Sequence, residues 1–368
     1  MSAILSSLHR HAWARRLAAA GVSAVMLLSH GAPTARAETG QDYAKQAGTR
    51  LVGRVAPTPR LATIDGKTID LAALRGRKAV YLKFWATWCV PCRDQMPHFE
   101  KVKRTAGDDL EVVAINIGFD DTLAQIEAYR REHGLTMPIV RDDDGRLGEL
   151  FGLRVTPQHV VIGKEGRIQY VGHLADARLD AALASARQSS ASDSRTAAMS
   201  PPSSGQQAAP VTARIGDVVP SLTVKTLEGY EIALKDPAGK RETVLAFLSP
   251  WCEGYFEKTR PRSSKRCRSL REQLVALGRD RSVRWVGIAS GLWASEQDLH
   301  NYRNEHGIPV PLTLDREGAL FRRFGIHRVP AVIVVDAGGR IVGQVDVDEL
   351  KGGHLQQSAR ATRARGHR

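Results

Sequence analysis

Cysteine is scarce: four in 368 residues, at positions 89, 92, 252 and 267. No cysteine follows the N-terminal apolar stretch, so nothing supports a lipid-modified N-terminus. A zinc half-site at Cys89 and Cys92 would need two further ligands at similar spacing, and none is near, so no metal site is expected. Aromatic residues make up 6% of the chain and do not interleave with its basic residues, which argues against a nucleic-acid partner. Long apolar runs are missing as well. The longest, from Leu17 to Leu28, is about 12 residues, short of the roughly 20 that cross a bilayer.

That run sits inside a segment with no acidic residue. Arg10, Arg15 and Arg16 precede it, and Ala35-Arg36-Ala37 supplies small residues where a signal peptidase cuts. Residues 1–37 therefore read as a signal peptide cleaved after Ala37, with the periplasm or cell envelope as destination. An uncleaved anchor is the other reading, and "RRLAAA" leaves the export route open. Loss of the four arginines in this segment takes the formal net charge from +14 to +10. Residues 353–368 form a basic tail with Arg360, Arg363, Arg365 and Arg368. Such a tail is a solvated end or a contact for an anionic surface.

What the chain does have is a copy of itself. At an offset of 163, Val55-Ala56-Pro57 falls on Val218-Val219-Pro220, and Phe84, Trp88 and Cys89 fall on Phe247, Trp251 and Cys252. At an offset of 173, "FGLRVTP" (151–157) falls on "FGIHRVP" (324–330), and Gly166-Arg167-Ile168 on Gly339-Arg340-Ile341. The second copy thus carries ten extra residues after Cys252. Residues 188–212, rich in Ser, Ala, Gln and Pro, read as a flexible linker. The expected domains are 48–187 and 213–352. Within each copy, β-rich apolar runs alternate with helical spacing and end in a strand pair, which predicts an α/β fold with a mixed sheet.

"FWATWCVPC" places two cysteines two residues apart where a strand gives way to a helix. A disulfide there closes too small a loop to stabilise much, so the pattern favours redox chemistry over a staple. At a helix start, unpaired N–H groups and the helix dipole favour a Cys89 thiolate. Cys92, one turn on, then resolves the mixed disulfide. Electrons pass between sulfurs, and no cofactor is expected. Cys89 is expected to be the more exposed thiol.

These motifs, with the later "TP" at Thr156-Pro157, resemble the thioredoxin superfamily and within it the exported TlpA/ResA/CcmG-like thiol–disulfide reductases. The resemblance implies two tandem thioredoxin-like domains, the second degenerate. It further implies catalytic Cys89 and Cys92, and a substrate-binding surface of Trp88, Pro91, Thr156 and a cis Pro157. Pro330 would be the second domain's cis proline. It implies protein disulfides as substrates, a membrane electron donor, and a role as a reductant in cytochrome c maturation or disulfide repair. Val90-Pro91 suits a reducing potential, nearer about −270 mV than about −120 mV.

There are departures. Lys83 stands where thioredoxin has a buried acid, and its ammonium is expected to reach solvent. A proton acceptor for Cys92 is left unassigned among Asp94, Glu100 and His159. In the second copy Tyr255 replaces the second cysteine, so exchange over two residues is impossible there. Along an unbroken helix Cys267 would lie about 22 Å from Cys252, whereas a disulfide needs Cα atoms within about 7 Å. Pro261 and the polar "RSSK" break that helix, and a loop is expected to bring Cys267 back into a disulfide with Cys252. That pair is a staple or a redox centre. Two other functions stay open: a thiol peroxidase using Cys252 and Cys267, or a second domain that only docks a partner.

Overall fold

The computed structural model describes residues 39–189 and 213–350. The expected signal segment 1–37, the expected linker beyond Ser189 and the expected basic tail lie outside them. Among the described residues no helix is long and apolar enough to cross a membrane.

The first half runs α1 (Gly40–Leu51), β1 (Arg60–Ala62), β2 (Thr68–Asp70), α2 (Leu71–Leu74), β3 (Ala79–Trp85), α3 (Val90–Asp94), α4 (Met96–Arg104) and β4 (Leu110–Asn116). It continues with α5 (Leu123–Glu132), β5 (Ile139–Arg141), α6 (Arg146–Leu150), β6 (Gln158–Ile162), β7 (Ile168–Gly172) and α7 (Ala177–Gln188). The main sheet has the order β5-β4-β3-β6-β7. β3 is parallel to β4 and antiparallel to β6. β3 sits at the centre because every residue of AVYLKFW is buried; a strand covered on both faces is continuous rather than alternating in polarity. α1, fixed by a Thr39–Asp42 capping box, begins eight residues ahead of the expected domain start at 48 and packs on β7.

The second half repeats the plan. It runs β8 (Thr223–Lys225), β9 (Glu231–Ala233), β10 (Thr243–Leu248), α8 (Cys252–Thr259), α9 (Pro261–Leu277) and β11 (Arg284–Ser290). Then come α10 (Glu296–His306), β12 (Leu312–Asp315), α11 (Ala319–Arg323), β13 (Ala331–Val335) and β14 (Ile341–Val345). Its sheet order is β12-β11-β10-β13-β14. This is the expected mixed α/β sheet, twice.

Thr122 caps α5 in a capping box with Gln125, which leaves Asp120 and Asp121 in the loop before it. Two local expectations change. The segment after Cys89 is two helices, α3 and α4, meeting at Gln95. The ten extra residues of the second copy are not a loop. Pro261 opens α9, where its missing N–H costs nothing, and "RSSK" is helical, so Cys267 lies well inside α9.

One hydrophobic cluster runs through both halves, taking in Phe84, Trp88 and Cys89 together with Phe247, Cys252, Phe256 and Phe321. The outer face of the second sheet has its own cluster around Val244, Trp285 and Leu299.

Candidate redox site

β3 ends at Trp85, and the chain turns through Ala86-Thr87-Trp88 to Cys89, the N-cap of α3. The Cys92 N–H donates to Cys89 Sγ at 3.2 Å. Cys89 and Cys92 form a disulfide with Cα atoms 5.2 Å apart. A helix-start N–H aimed at sulfur favours a thiolate there once the pair is reduced. The Trp88 indole N–H donates to the Phe119 carbonyl at 2.7 Å and the ring is buried. Thr156-Pro157 is a cis peptide, as is Val329-Pro330.

Cys89 is 1% exposed and Cys92 0%, so both sulfurs of this disulfide are buried, and side chains of the second half pack beside them. Trp251 stacks on Trp88 with ring centroids 5.7 Å apart, and Phe256 meets the same ring edge-on at 5.4 Å. Tyr255, at the position of the lost cysteine, accepts a hydrogen bond from the Val90 N–H at 2.9 Å. Arg260 donates to the Asp120 carbonyl, to Asp121 Oδ1 at 2.8 Å and to Thr87 Oγ1 at 2.8 Å. Asp121, its side chain fully buried, also accepts from the Thr87 N–H and from Asn116 Nδ2, each at 2.8 Å.

The contacts between the halves are reciprocal. The Asp120 N–H donates to the His327 carbonyl, and the Trp293 N–H to the Arg154 carbonyl. Asp120 and Trp293 are equivalent at the 173 offset, as are Arg154 and His327. Both donors have φ near +55°, 54° at Asp120 and 57° at Trp293, a region non-glycine residues seldom occupy. Trp251 repeats Trp88 by donating to the Leu292 carbonyl at 2.7 Å. A cavity of about 110 Å³ between the halves is lined by equivalent pairs, Phe119 with Leu292 and Glu149 with Arg322. Equivalent surfaces touching each other describe an isologous, two-fold contact, here within one chain. Trp293 also donates from its ring to Thr156 Oγ1 at 3.1 Å and stands edge-on to His173. The His173 ring bonds the Pro157 carbonyl at 2.8 Å. Sequence reasoning singled out Tyr255 as a departure but missed Arg260, Trp293 and Arg154.

Lys83 does not reach solvent. It is 0% exposed; its Nζ donates to the Cys92 carbonyl at 3.4 Å and lies 5.3 Å from the Phe99 ring centre. Burial lowers its pKa to about 7. Across the sheet His159 bonds Tyr81 and Gln95, and burial, with Lys83 beside it, holds its pKa well below 6.5. Glu100 is turned to Thr136 and Arg104, and Asp94 is exposed.

In the second half Cys252 and Cys267 form a disulfide with Cα atoms 6.2 Å apart. Cys252 is fully buried. α8 stops at Arg260 and α9 doubles back along it, which brings the two sulfurs together.

The AhpC/TSA family model matches residues 52–171 and again 215–344. The thioredoxin-like protein YneN of Bacillus subtilis is 35% identical over 130 residues, covering 35% of this chain and 75% of that protein. The thiol-disulfide oxidoreductase ResA of the same organism is 31% identical over 117 residues, covering 32% of this chain and 64% of ResA. Among solved structures, the exposed lipoprotein thioredoxin Etrx1 of Streptococcus pneumoniae is 31% identical with a TM-score of 0.31, covering 34% of this chain and 98% of that one.

Proposed function

Because the chain belongs to the AhpC/TSA family and is thioredoxin-like in both halves, we propose that it is an exported thiol–disulfide oxidoreductase that reduces protein disulfides through Cys89 and Cys92. The observation that carries this reading is the Cys89–Cys92 disulfide at a strand-to-helix junction, with the Cys92 N–H on Cys89 Sγ.

In the reduced protein the Cys89 thiolate attacks one sulfur of a substrate disulfide. A Cys89–substrate disulfide forms, and the first substrate thiolate leaves. The Cys92 thiolate then attacks Cys89 Sγ, releasing the second substrate thiolate and closing the internal disulfide. Two electrons pass from the cysteine pair to the substrate, and both released thiolates take up protons. By the resemblance, Trp88, Pro91, Thr156 and Pro157 form the surface that meets the substrate beside this pair. In an envelope compartment the pair would be recharged by a membrane electron donor. The reduced partners would serve cytochrome c maturation or the repair of wrong disulfides. ResA, named a thiol-disulfide oxidoreductase, supports the chemistry, and the signal-like residues 1–37 support export. The domain limits 48–187 and 213–352 belong to the same reading, with the first domain catalytic.

Insulin reduction in a dithiothreitol-coupled assay tests it. Cys89→Ser should abolish the catalysed rate. Cys92→Ser should accumulate a mixed disulfide through Cys89 that added reductant releases. A Cys89→Ser protein as fast as wild type would overturn the assignment. The equilibrium potential against dithiothreitol should fall below about −180 mV. Protein from an envelope fraction should begin at Glu38.

A further inference from the structure

The disulfide that reacts lies beneath a domain that lacks the means to react in the same way. Each element of that cover has a named contact on the first domain's working face. Tyr255 holds the Val90 N–H between the two cysteines. Trp251 and Phe256 enclose Trp88. Arg260 binds Thr87, Asp120 and Asp121 in the loops on either side of Trp88. The Trp293 backbone pairs with Arg154, three residues ahead of cis Pro157, and its ring bonds Thr156. The Arg154 guanidinium returns the contact, donating to the carbonyls of Gly291 at 3.3 Å and Ala294 at 3.1 Å.

A cysteine at position 255 could make none of the Tyr255 contact. A phenol reaches across to the facing loop; a thiol on the same helix turn does not. The substitution that disarms the second copy therefore also fastens it to the first.

We propose that the second domain is a gate over the Cys89–Cys92 pair, fastened by Tyr255 and Arg260, so that a partner thiol or disulfide reaches Cys89 only when the halves part. The gate rests on the reading of Cys89 as the reacting sulfur. It makes the second domain the specificity element of the enzyme, since a bulky protein partner needs a wider parting than a small thiol. Opening breaks no covalent bond and needs no co-reactant. The Arg260 contacts are the stronger fastening: a guanidinium with a side chain 16% exposed, on a fully buried Asp121 carboxylate.

The test uses oxidised full-length protein. The rate at which the Cys89–Cys92 disulfide opens is followed with dithiothreitol and with reduced bacterial thioredoxin. Samples are quenched with acid, alkylated, and read by mass spectrometry of the Cys89 peptide. Arg260→Ala should speed opening by about tenfold or more, the equivalent of losing one or more charged hydrogen bonds. Tyr255→Phe, which keeps the ring and removes one neutral hydrogen bond, should speed it by about fivefold. In both, thioredoxin should gain more than dithiothreitol, which narrows the ratio of the two rates. Folded variants with unchanged rates and an unchanged ratio would overturn the gate. Should Arg260→Ala fail to fold, Tyr255→Phe decides alone. Insulin reduction separates the two readings. A gated disulfide in a protein that cannot reduce insulin leaves the gate and removes the reductase, and ungated reduction does the reverse.

Discussion

Lys83 shows how far a single side chain departs from what its type suggests. An ammonium in the middle of a fully buried strand has lost its water, and its one hydrogen bond is to the carbonyl of Cys92. With its pKa lowered to about 7 from about 10.4 in an unfolded chain, the native state binds fewer protons than the unfolded state between those values. Stability therefore rises with pH across that window, by up to about 1.4 kcal/mol per unit, and levels off above it. Below pH 7 both states are charged and the full cost of burial is present. His159, its pKa held well below 6.5 by burial, adds its own rise mainly below pH 7, where the unfolded imidazole is still charged. Lys83→Met, close in volume and uncharged, should raise stability at pH 7 by about 2–4 kcal/mol. It should also flatten the rise between pH 7 and 9. Urea unfolding of both proteins at pH 7, 8 and 9 measures the difference, and parallel curves would show that Lys83 is not buried as a free amine. At this scale the sequence was partly legible. Cys89, Cys92 and Trp88 stood out because they share one short motif, and Pro157 through the family resemblance; the structure joins the two cysteines and has Thr156-Pro157 cis. Lys83 was misjudged because lysines usually snorkel to water, and only the burial of both strand faces stops this one.

The helix pair α8–α9 carries the second disulfide. A break at Arg260 and a proline at the next position let two helices lie side by side, so fifteen residues of separation close to 6.2 Å between Cα atoms. A cross-link over such a loop is worth about 3 kcal/mol on the chain-entropy model. The double change Cys252→Ser with Cys267→Ser should cost about 2–3 kcal/mol of stability. Insulin reduction by Cys89 should persist while the protein stays folded. Denaturant midpoints with and without the change test this, and loss of Cys89 reactivity in the folded variant would instead make the second pair part of the redox path. Glycine also acts at this scale: a Cβ on Gly118 would meet the Asp142 carbonyl oxygen at 2.6 Å, and one on the equivalent Gly291 the Arg316 carbonyl oxygen at 2.5 Å. Both sites sit just before the left-handed residues that pair across the halves. The repeat and its alternating strands and helices were visible from spacing alone. The helical character of "RSSK" was not, because its polarity imitates a loop and its stability comes from packing and from the doubling back of the chain.

Across the whole molecule, Trp88 and Trp251 meet in the cluster that joins the halves, and Trp293 stands edge-on to His173 beside a separate small cluster of Tyr43, Ala44 and Val155. Trp85 and Trp285 are buried within the two halves, so indole fluorescence reports on the contact through three of the five described tryptophans, whereas circular dichroism reports on both sheets. Wild-type protein should lose the two signals together in urea, as a shared core requires. Arg260→Ala should lose part of its fluorescence signal, that of the contact tryptophans, at lower urea than its ellipticity. Coincident curves in the variant would mean that Arg260 does not hold the halves together. None of this was legible in the sequence. An intramolecular contact between two copies is encoded by residues far apart in number, and only Tyr255 stood out, as a gap in a pattern.

The reciprocal pairing of Asp120 with His327 and Trp293 with Arg154 has one more consequence, and it is kinetic. Two separate molecules joined by such a contact come apart on dilution; two halves of one chain do not, because their reunion is a first-order event. The fraction closed is then fixed at any protein concentration. As substrate is raised, turnover should climb and then flatten no higher than the frequency with which the halves separate, however fast the sulfur exchange. That ceiling on the rate would be set by the hydrogen bonds that fasten the second domain to the first.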